Sequence, residues 1–464
     1  MQAPSRLVDL VGKAIAQAKV EGLPVLLCWS GVWPQQDGLA LLAKSAQTRW
    51  WFWQQPGLQM VAGGIAVGAP INAERFGVAQ QFAQDYLARS LVGGDDINRC
   101  PIAVAGFSFY DRVTPMWWQF PGAEVYVPEW LLQSTETETS LRVHVLVQAS
   151  SEVEQVCAQI ERCWSSLASW SGLDFSWQEQ PNQIEYQEVE GDRHWSEMVT
   201  QAKAMITAGN LTKIVLARSL EITATLPINP LNLLNRLRTN YPECVCFGIN
   251  LGGAASFIGA TPEFLLQFSL EGGRLHLRSD ALAGSSRRGL TLDQDRALGE
   301  ELLHSAKNGL EHQIVVNSIR DRLLESGANL EPTIPPRLLQ LKNVQHLHTV
   351  IKGQLLPRAQ FQCLEILARL HPTAAMGGEP RQAALAIMRD WEASDRGWYA
   401  APIGWFGGGK NQEEGAFVVG IRSGYVQANR ARIFAGAGIV AESDLATELE
   451  ETTLKFAALL QAIA

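Results

Sequence analysis

No apolar run in the 464-residue chain is long enough to cross a bilayer. Residues 1–20 read as an amphipathic helix carrying Asp9, Lys13 and Lys19, without the apolar core of a signal peptide. A membrane partner is therefore not expected, and the chain reads as cytoplasmic. Cysteine points the same way: there are seven, an odd number, and no pair has CxxC spacing, which suits a reduced protein better than a disulfide scaffold. Basic runs are missing and the net charge is −9, so nucleic acid is not an expected partner. Around His346, His348 and His371 there is no HxxxH, no cysteine and no third ligand at the usual spacing, which argues against zinc.

Apolar and charged fractions are ordinary, and the length suffices for two or three domains or one large one. The fifteen tryptophans, many of them early (Trp50, Trp51, Trp53, Trp117, Trp118), suit core and interface positions. Up to about residue 190, short apolar strands (25–30, 60–68, 102–109, 141–149) alternate with helical patterns at 73–91 and 151–170. This part reads as scaffold without a catalytic constellation. The polar stretch 175–192, with Gln178, Glu179 and Gln180, marks a break in organisation.

The chemistry gathers after the break. Residues 436–440 read as a short apolar strand closed by Gly436 and Gly438, and Ser443 or Asp444 can start a helix behind it. Along that helix Glu448, Glu451, Thr452 and Lys455 fall on one side, with Leu445, Leu449, Phe456, Leu459 and Leu460 to hold it down. Such a row is either a solvated face or two carboxylates aimed at a hard cation, with a lysine for an anionic substrate. A second acidic element is needed for the latter, and Glu311 supplies one within a long helical pattern over 292–326. In the strand 211–218, Lys213 shares a face with Val215 and Ala217, as a snorkelling strand end or as a desolvated functional amine. Glu263 follows Pro262 into an apolar strand, where desolvation raises a carboxyl pKa and suits a proton donor; the other reading is an edge position in water. Gly284 and Ser285 offer a free backbone and a hydroxyl, and Arg422 is expected to end the strand 416–422 ready for a bidentate carboxylate contact.

Taken in order, TKIVLAR (Lys213), GATPE (Glu263), LAGS (Gly284, Ser285), KNGLEH (Glu311), QHL (His346), HPT (His371 to Thr373), RGWY (Tyr399), Arg422, GAG (Gly436) and ELEET (Glu448, Glu451) resemble the chorismate-utilising enzymes. The resemblance covers about residues 190–464 and is most like the isochorismate synthases. It implies an α/β fold of large, mostly antiparallel sheets packed with helices. Residues 1–190 would be an amino-terminal scaffold part of the same α/β body, and 191–464 the chorismate-binding catalytic region. It further implies Mg2+ as cofactor, with Glu311 and Glu448 as ligands and Glu451 acting directly or through water. Gly284, Ser285, Gly436 and Lys455 would surround the ring carboxylate and metal, and Tyr399 and Arg422 would clamp the enolpyruvyl carboxylate. His346 and Thr373 would also contact substrate. Lys213 would activate water and Glu263 would protonate the departing C4 hydroxyl.

The residue types suit that reaction. Water needs a base, which lysine can be only when burial or nearby positive charge lowers its pKa, and hydroxide needs an acid to leave. Family members that use ammonia tend to carry glutamine where Lys213 stands, so water addition, hence isochorismate, is expected. A salicylate synthase, which goes on to eliminate pyruvate, is the alternative, and an anthranilate or aminodeoxychorismate synthase component is further off. The expected partner is chorismate, with no glutaminase subunit, in a monomer or weak homodimer. Two departures stand out: Asn308 where many members have an acidic residue, and Ser285 for the usual threonine.

Overall fold

The segment Arg-Trp-Trp-Phe-Trp shows how the body is layered. It lies in the strand Arg49–Gln55. Alternation sends Trp51 and Trp53 into one core cluster, and Trp50 and Phe52 into another. The first cluster joins residues of two sheets, such as Phe247 and Phe257 of one and Val104 and Phe417 of the other. The second lies between a sheet and helices, including Ser5–Glu21, Val153–Ser171 and Leu445–Ile463. Each fully buried indole removes roughly 200 Å² from water, a large contribution at about 25 cal/mol per Å². Trp118 departs from this pattern and is 75% exposed.

The computed structural model describes residues 4–45, 47–71, 74–95, 99–171, 173–177, 181–409 and 412–464. Among them the larger sheet has thirteen strands and the smaller ten. The larger starts at Ile184–Glu188, Lys213–Ala224, Arg430–Ile439, Ser423–Gln427, Ala255–Thr261 and Val245–Leu251. It continues through Arg49–Gln55, Leu58–Gly63, Trp130–Thr135, Thr139–Val147, Val25–Val32 and Leu91–Gly94. Among the described ladders, only that between Val25–Val32 and Leu91–Gly94 is parallel. The expected α/β class with mostly antiparallel sheets is what is found.

Several expected elements differ in detail. The run 60–68 is two strands, Leu58–Gly63 and Val67–Ile71, in different sheets, because Gly64 takes φ +68 between them. The expected helix 73–91 is the shorter Arg75–Phe82 followed by a π-turn at Ala83–Leu87; Ala73 lies outside the described residues, as do Gln178, Glu179 and Gln180 of the polar stretch. The long pattern 292–326 is two helices, Leu292–His304 and Ala306–Glu325. Ser305 breaks it with ψ 117 and caps the second helix by accepting from Asn308 N. Gly436 and Gly438 lie inside a ten-residue strand, Arg430–Ile439, and do not close a short one. Asp444, not Ser443, caps the last helix, accepting from Thr447 N at 3.0 Å. Leu445 is 37% exposed and does little to hold that helix down, whereas Phe456 and Leu459 are buried and Leu449 and Leu460 pack against the core clusters.

Candidate active site

The site forms where the two sheets exchange strands. Glu263 lies on the link from Ala255–Thr261 in the larger sheet to Phe264–Glu271 in the smaller. Arg422 lies on the return link from Gln412–Val419 to Ser423–Gln427. It does not end a strand, as expected, but takes φ +49 in the turn after one. Gly284 is the extra residue of a bulge in the strand Arg274–Arg287, with φ +77 and the register slipping between Ala283 and Ser285. The bulge sets Ser285 opposite His346. On the neighbouring side Val215 pairs with Gly438 and Ala217 with Gly436. Helix Ala306–Glu325 brings Glu311, and helix Leu445–Ile463 brings Glu451 and Lys455.

These elements line one narrow cleft, with a cavity volume of about 50 Å³. All the expected site residues line it except Thr373 and Glu448. Thr373 is buried behind the wall, its hydroxyl accepting from Ala375 N at 3.3 Å, while Ala375 and Met376 face the cleft. Glu448 is 1% exposed, so the solvated-face reading of its helix fails there. Thr452, on the same side, is also buried, with its hydroxyl accepting from Arg218 Nε at 2.9 Å.

Glu263 has no measurable exposure, and neither carboxyl oxygen has a hydrogen-bond partner. Burial, and then the Asp280 carboxylate, push its pKa up to about 8 against the opposing pull of Lys213, Lys455 and Arg422. It therefore holds a proton at neutral pH. Lys213, 1% exposed, places Nζ 3.0 Å from Glu311 Oε1. This contact depends on Gly438, since a Cβ there would stand 2.3 Å from Glu311 Oε1 and 2.9 Å from Lys213 Cε. Glu448 Oε1 takes Lys307 Nζ at 2.7 Å, and Glu451 Oε1 takes Lys455 Nζ at 2.5 Å. Burial and then Glu451 raise the Glu448 pKa. Burial also pushes Glu451 upward, but Lys455 and Ser285 outweigh it and hold its pKa low.

One hydrogen-bond chain joins the two ends of the cleft. Arg422 Nη2 lies 2.7 Å from His346 Nε2. A guanidinium can only donate, so Nε2 accepts and the ring proton sits on Nδ1, 2.9 Å from Ser285 Oγ. Ser285 then donates to Glu451 Oε1 at 3.0 Å. Burial and the Arg422 charge hold the His346 pKa well below its ordinary value, so the ring is neutral. Lys455 also donates to Gly436 O at 2.8 Å, and Tyr399 stacks on Phe434 with centroids 5.1 Å apart.

The carboxylates suit a hard divalent cation by donor type, and Glu448 Oε2 is buried without a hydrogen-bond partner. Among the described residues, however, no three His, Cys, Asp or Glu side chains form a ready metal cluster. Glu311, Glu448 and Glu451 each hold a lysine. Asn308 turns from the cleft to give its amide to Ser305 Oγ at 2.9 Å. His371 also points elsewhere, to Phe109 O at 3.0 Å. Sequence reasoning gave no place in the site to Lys307, whose spacing of four from Glu311 looks like an ordinary helix-surface pair, nor to Gly438 or Asp280. Asp280 carried a signal, a charge within an apolar strand.

A carboxyl group held protonated, a buried lysine and an arginine around one cleft suit acid–base chemistry on a small anionic molecule. The chain belongs to the family described as "Chorismate binding enzyme", whose profile matches residues 13–464. It is 32% identical to the isochorismate synthase MenF of Bacillus subtilis, over 97% of this chain and 96% of that one. It is 33% identical to the salicylate biosynthesis isochorismate synthase of Pseudomonas aeruginosa, over 97% and 93%. The structure of MenF, the menaquinone-specific isochorismate synthase of Escherichia coli, superposes with TM-score 0.77 at 24% identity, covering 98% of this chain and 100% of that one, a likeness of fold. The structure of a putative 2,3-dihydroxybenzoate-specific isochorismate synthase, DhbC, from Bacillus anthracis has TM-score 0.69 at 26% identity, covering 92% and 99%.

Proposed function

We propose that the chain is an isochorismate synthase, an isomerase that converts chorismate to isochorismate by adding water at C2 and releasing the C4 hydroxyl. The observation that carries the mechanism is Glu263: a carboxyl group without partners, still protonated at neutral pH, on the same cleft as a buried lysine. Glu263 donates its proton to the leaving C4 oxygen, which departs as water. Lys213 takes a proton from the incoming water, so that the two transfers balance. Lysine here, and not the glutamine of ammonia-using members, favours water as nucleophile and makes a glutaminase subunit unnecessary.

The substrate is a dianion, and the two ends of the cleft suit its two carboxylates. Arg422, whose guanidinium donates to neutral His346, takes the enolpyruvyl carboxylate with Tyr399. Lys455, Ser285 and the backbone at Gly284 and Gly436 take the ring carboxylate. Glu448, Glu311 and Glu451 would hold Mg2+, which supplies positive charge to the ring carboxylate. Thr373 acts through the Ala375–Met376 wall. Residues 1–190 serve as scaffold, a reading supported by the ladder from Arg49–Gln55 to Val245–Leu251. Among the described residues no helix is long and apolar enough to cross a membrane, and all seven cysteines are free thiols. These features support a cytoplasmic enzyme, which we take to be a monomer or weak homodimer.

The test is product analysis from chorismate and Mg2+. The expected product is non-fluorescent, and becomes fluorescent salicylate only when an isochorismate lyase is added. Fluorescence without the lyase would favour the salicylate synthase alternative, and no turnover in either case would overturn the assignment.

A further inference from the structure

The strand carrying Lys213 has an incomplete edge. One side pairs with Arg430–Ile439 from Ile214 to Thr223. On the other, Gly378 and Glu379 cover Ile214 and Lys213, and Ile184–Glu188 covers Leu220 to Ala224. From Val215 to Ser219 none of the described ladders covers this edge, yet buried backbone groups must be satisfied. Loop and side-chain groups do this. Val215 N donates to Gly377 O at 2.9 Å, Ala217 N to Glu392 Oε1 at 2.9 Å, and Ser219 N to Glu190 Oε2 at 2.7 Å. Arg396 Nη2 donates to Val215 O and Nη1 to Met376 O, each at 2.8 Å, while Nε donates to Glu392 Oε2 at 2.8 Å. The Arg396 carbonyl accepts from Tyr399 N at 2.8 Å. Val215, Met376 and Tyr399 all line the cleft, from three different elements.

We infer that Arg396, oriented by Glu392, is a positioning residue for the reaction: it fixes the Lys213 strand, the Met376 wall and the Tyr399 turn relative to one another. The pair is buried, with side chains 1% and 4% exposed, and Arg396 also lies over the Phe109 ring, 4.5 Å from its centroid. Its planar fork reaches two carbonyls and a carboxylate at once, which an ammonium on a flexible stem cannot. Small displacement of a base relative to its substrate costs far more in turnover than in binding. The inference deepens the proposed function, since it rests on Lys213 acting as base.

The test uses the full chain with chorismate and Mg2+, below the unfolding midpoint of every variant. Arg396→Lys is expected to lower kcat by roughly 10–100-fold and to leave KM within about threefold. Guanidinium added to Arg396→Ala is expected to restore part of kcat. Glu392→Gln keeps an oxygen for Ala217 N, so it tests the pair if the arginine variants fail to fold; it should lower kcat by a smaller factor and speed amide exchange at Ala217. Folded Arg396→Lys or, failing that, folded Glu392→Gln with wild-type kcat and unchanged Ala217 exchange would overturn the inference. Amide exchange separates this from the base assignment, because Lys213→Ala tests the base and leaves the Ala217 contact intact.

Discussion

Replacing Glu263 by glutamine tests the proton donor through stability as well as turnover. A carboxyl group raised from 4.5 to about 8 by burial is about 3.5 units up, which at ~1.4 kcal/mol per unit is roughly 5 kcal/mol against the charged form. The folded protein therefore keeps a proton that the unfolded chain releases above pH 4.5. Stability from this group is fully present below that pH and is lost as pH rises toward 8. Relative to Glu263→Gln, which cannot ionise, the wild type should lose ~1.4 kcal/mol per pH unit over this window. The accumulated difference is about 3 kcal/mol at pH 7 and about 5 kcal/mol above pH 8. The buried amide adds a pH-independent offset, so the slope is the signal. Urea unfolding of both proteins from pH 5 to 9 measures it. A difference that stays flat with pH would refute the desolvated-acid argument. The same variant should bind chorismate normally and lose at least ~100-fold in kcat, the usual scale for a general acid. Wild-type kcat should fall as pH rises through about 8.

Lys213→Ala should lose at least ~100-fold in kcat at saturating chorismate and Mg2+, with folding checked by circular dichroism; near wild-type turnover in a folded variant would remove it as base. Ammonia-dependent amination by Lys213→Gln would support the base role directly. Arg422→Ala should mainly raise KM, by the equivalent of roughly 2–5 kcal/mol for a desolvated ion pair, and Arg422→Lys should recover only part. An unchanged KM would take Arg422 out of the site. EDTA should abolish turnover, and Glu448→Gln or Glu311→Gln should weaken Mg2+ binding, measured by titration calorimetry, more than they lower the unfolding midpoint; full activity in metal-free buffer would end the metal assignment.

Much of the cleft was legible because its residues announce themselves against local pattern. Glu263 enters an apolar strand behind a proline, and Lys213 alternates with Val215 and Ala217, so both stood out as candidates for desolvation. What local pattern cannot carry is which faces meet. The 292–326 stretch has continuous helical character, and only the ability of Ser305 to cap Asn308 N distinguishes two helices from one. Glycine likewise signals a possible turn without saying which sheet the next strand joins, as at Gly64.

The least legible part is the support of the Lys213 strand. Its incomplete edge follows from strands far apart in sequence, Ile184–Glu188 and Gly378–Glu379, each covering one end of Lys213–Ala224. Nothing local to Val215 or Ala217 reveals that one edge of their strand lacks a strand partner there, and Glu392 and Arg396 look like an ordinary helix-spaced pair. The geometry reverses that reading. A surface pair at this spacing is worth a few tenths of a kcal/mol, whereas this one is buried and spends its remaining donors and acceptors on the backbone of the wall. Removing one partner leaves a buried charge and unsatisfied backbone groups together, a loss of several kcal/mol. The chain thus holds the Lys213 strand by a contact that sequence spacing ranks among the weakest and burial ranks among the most consequential.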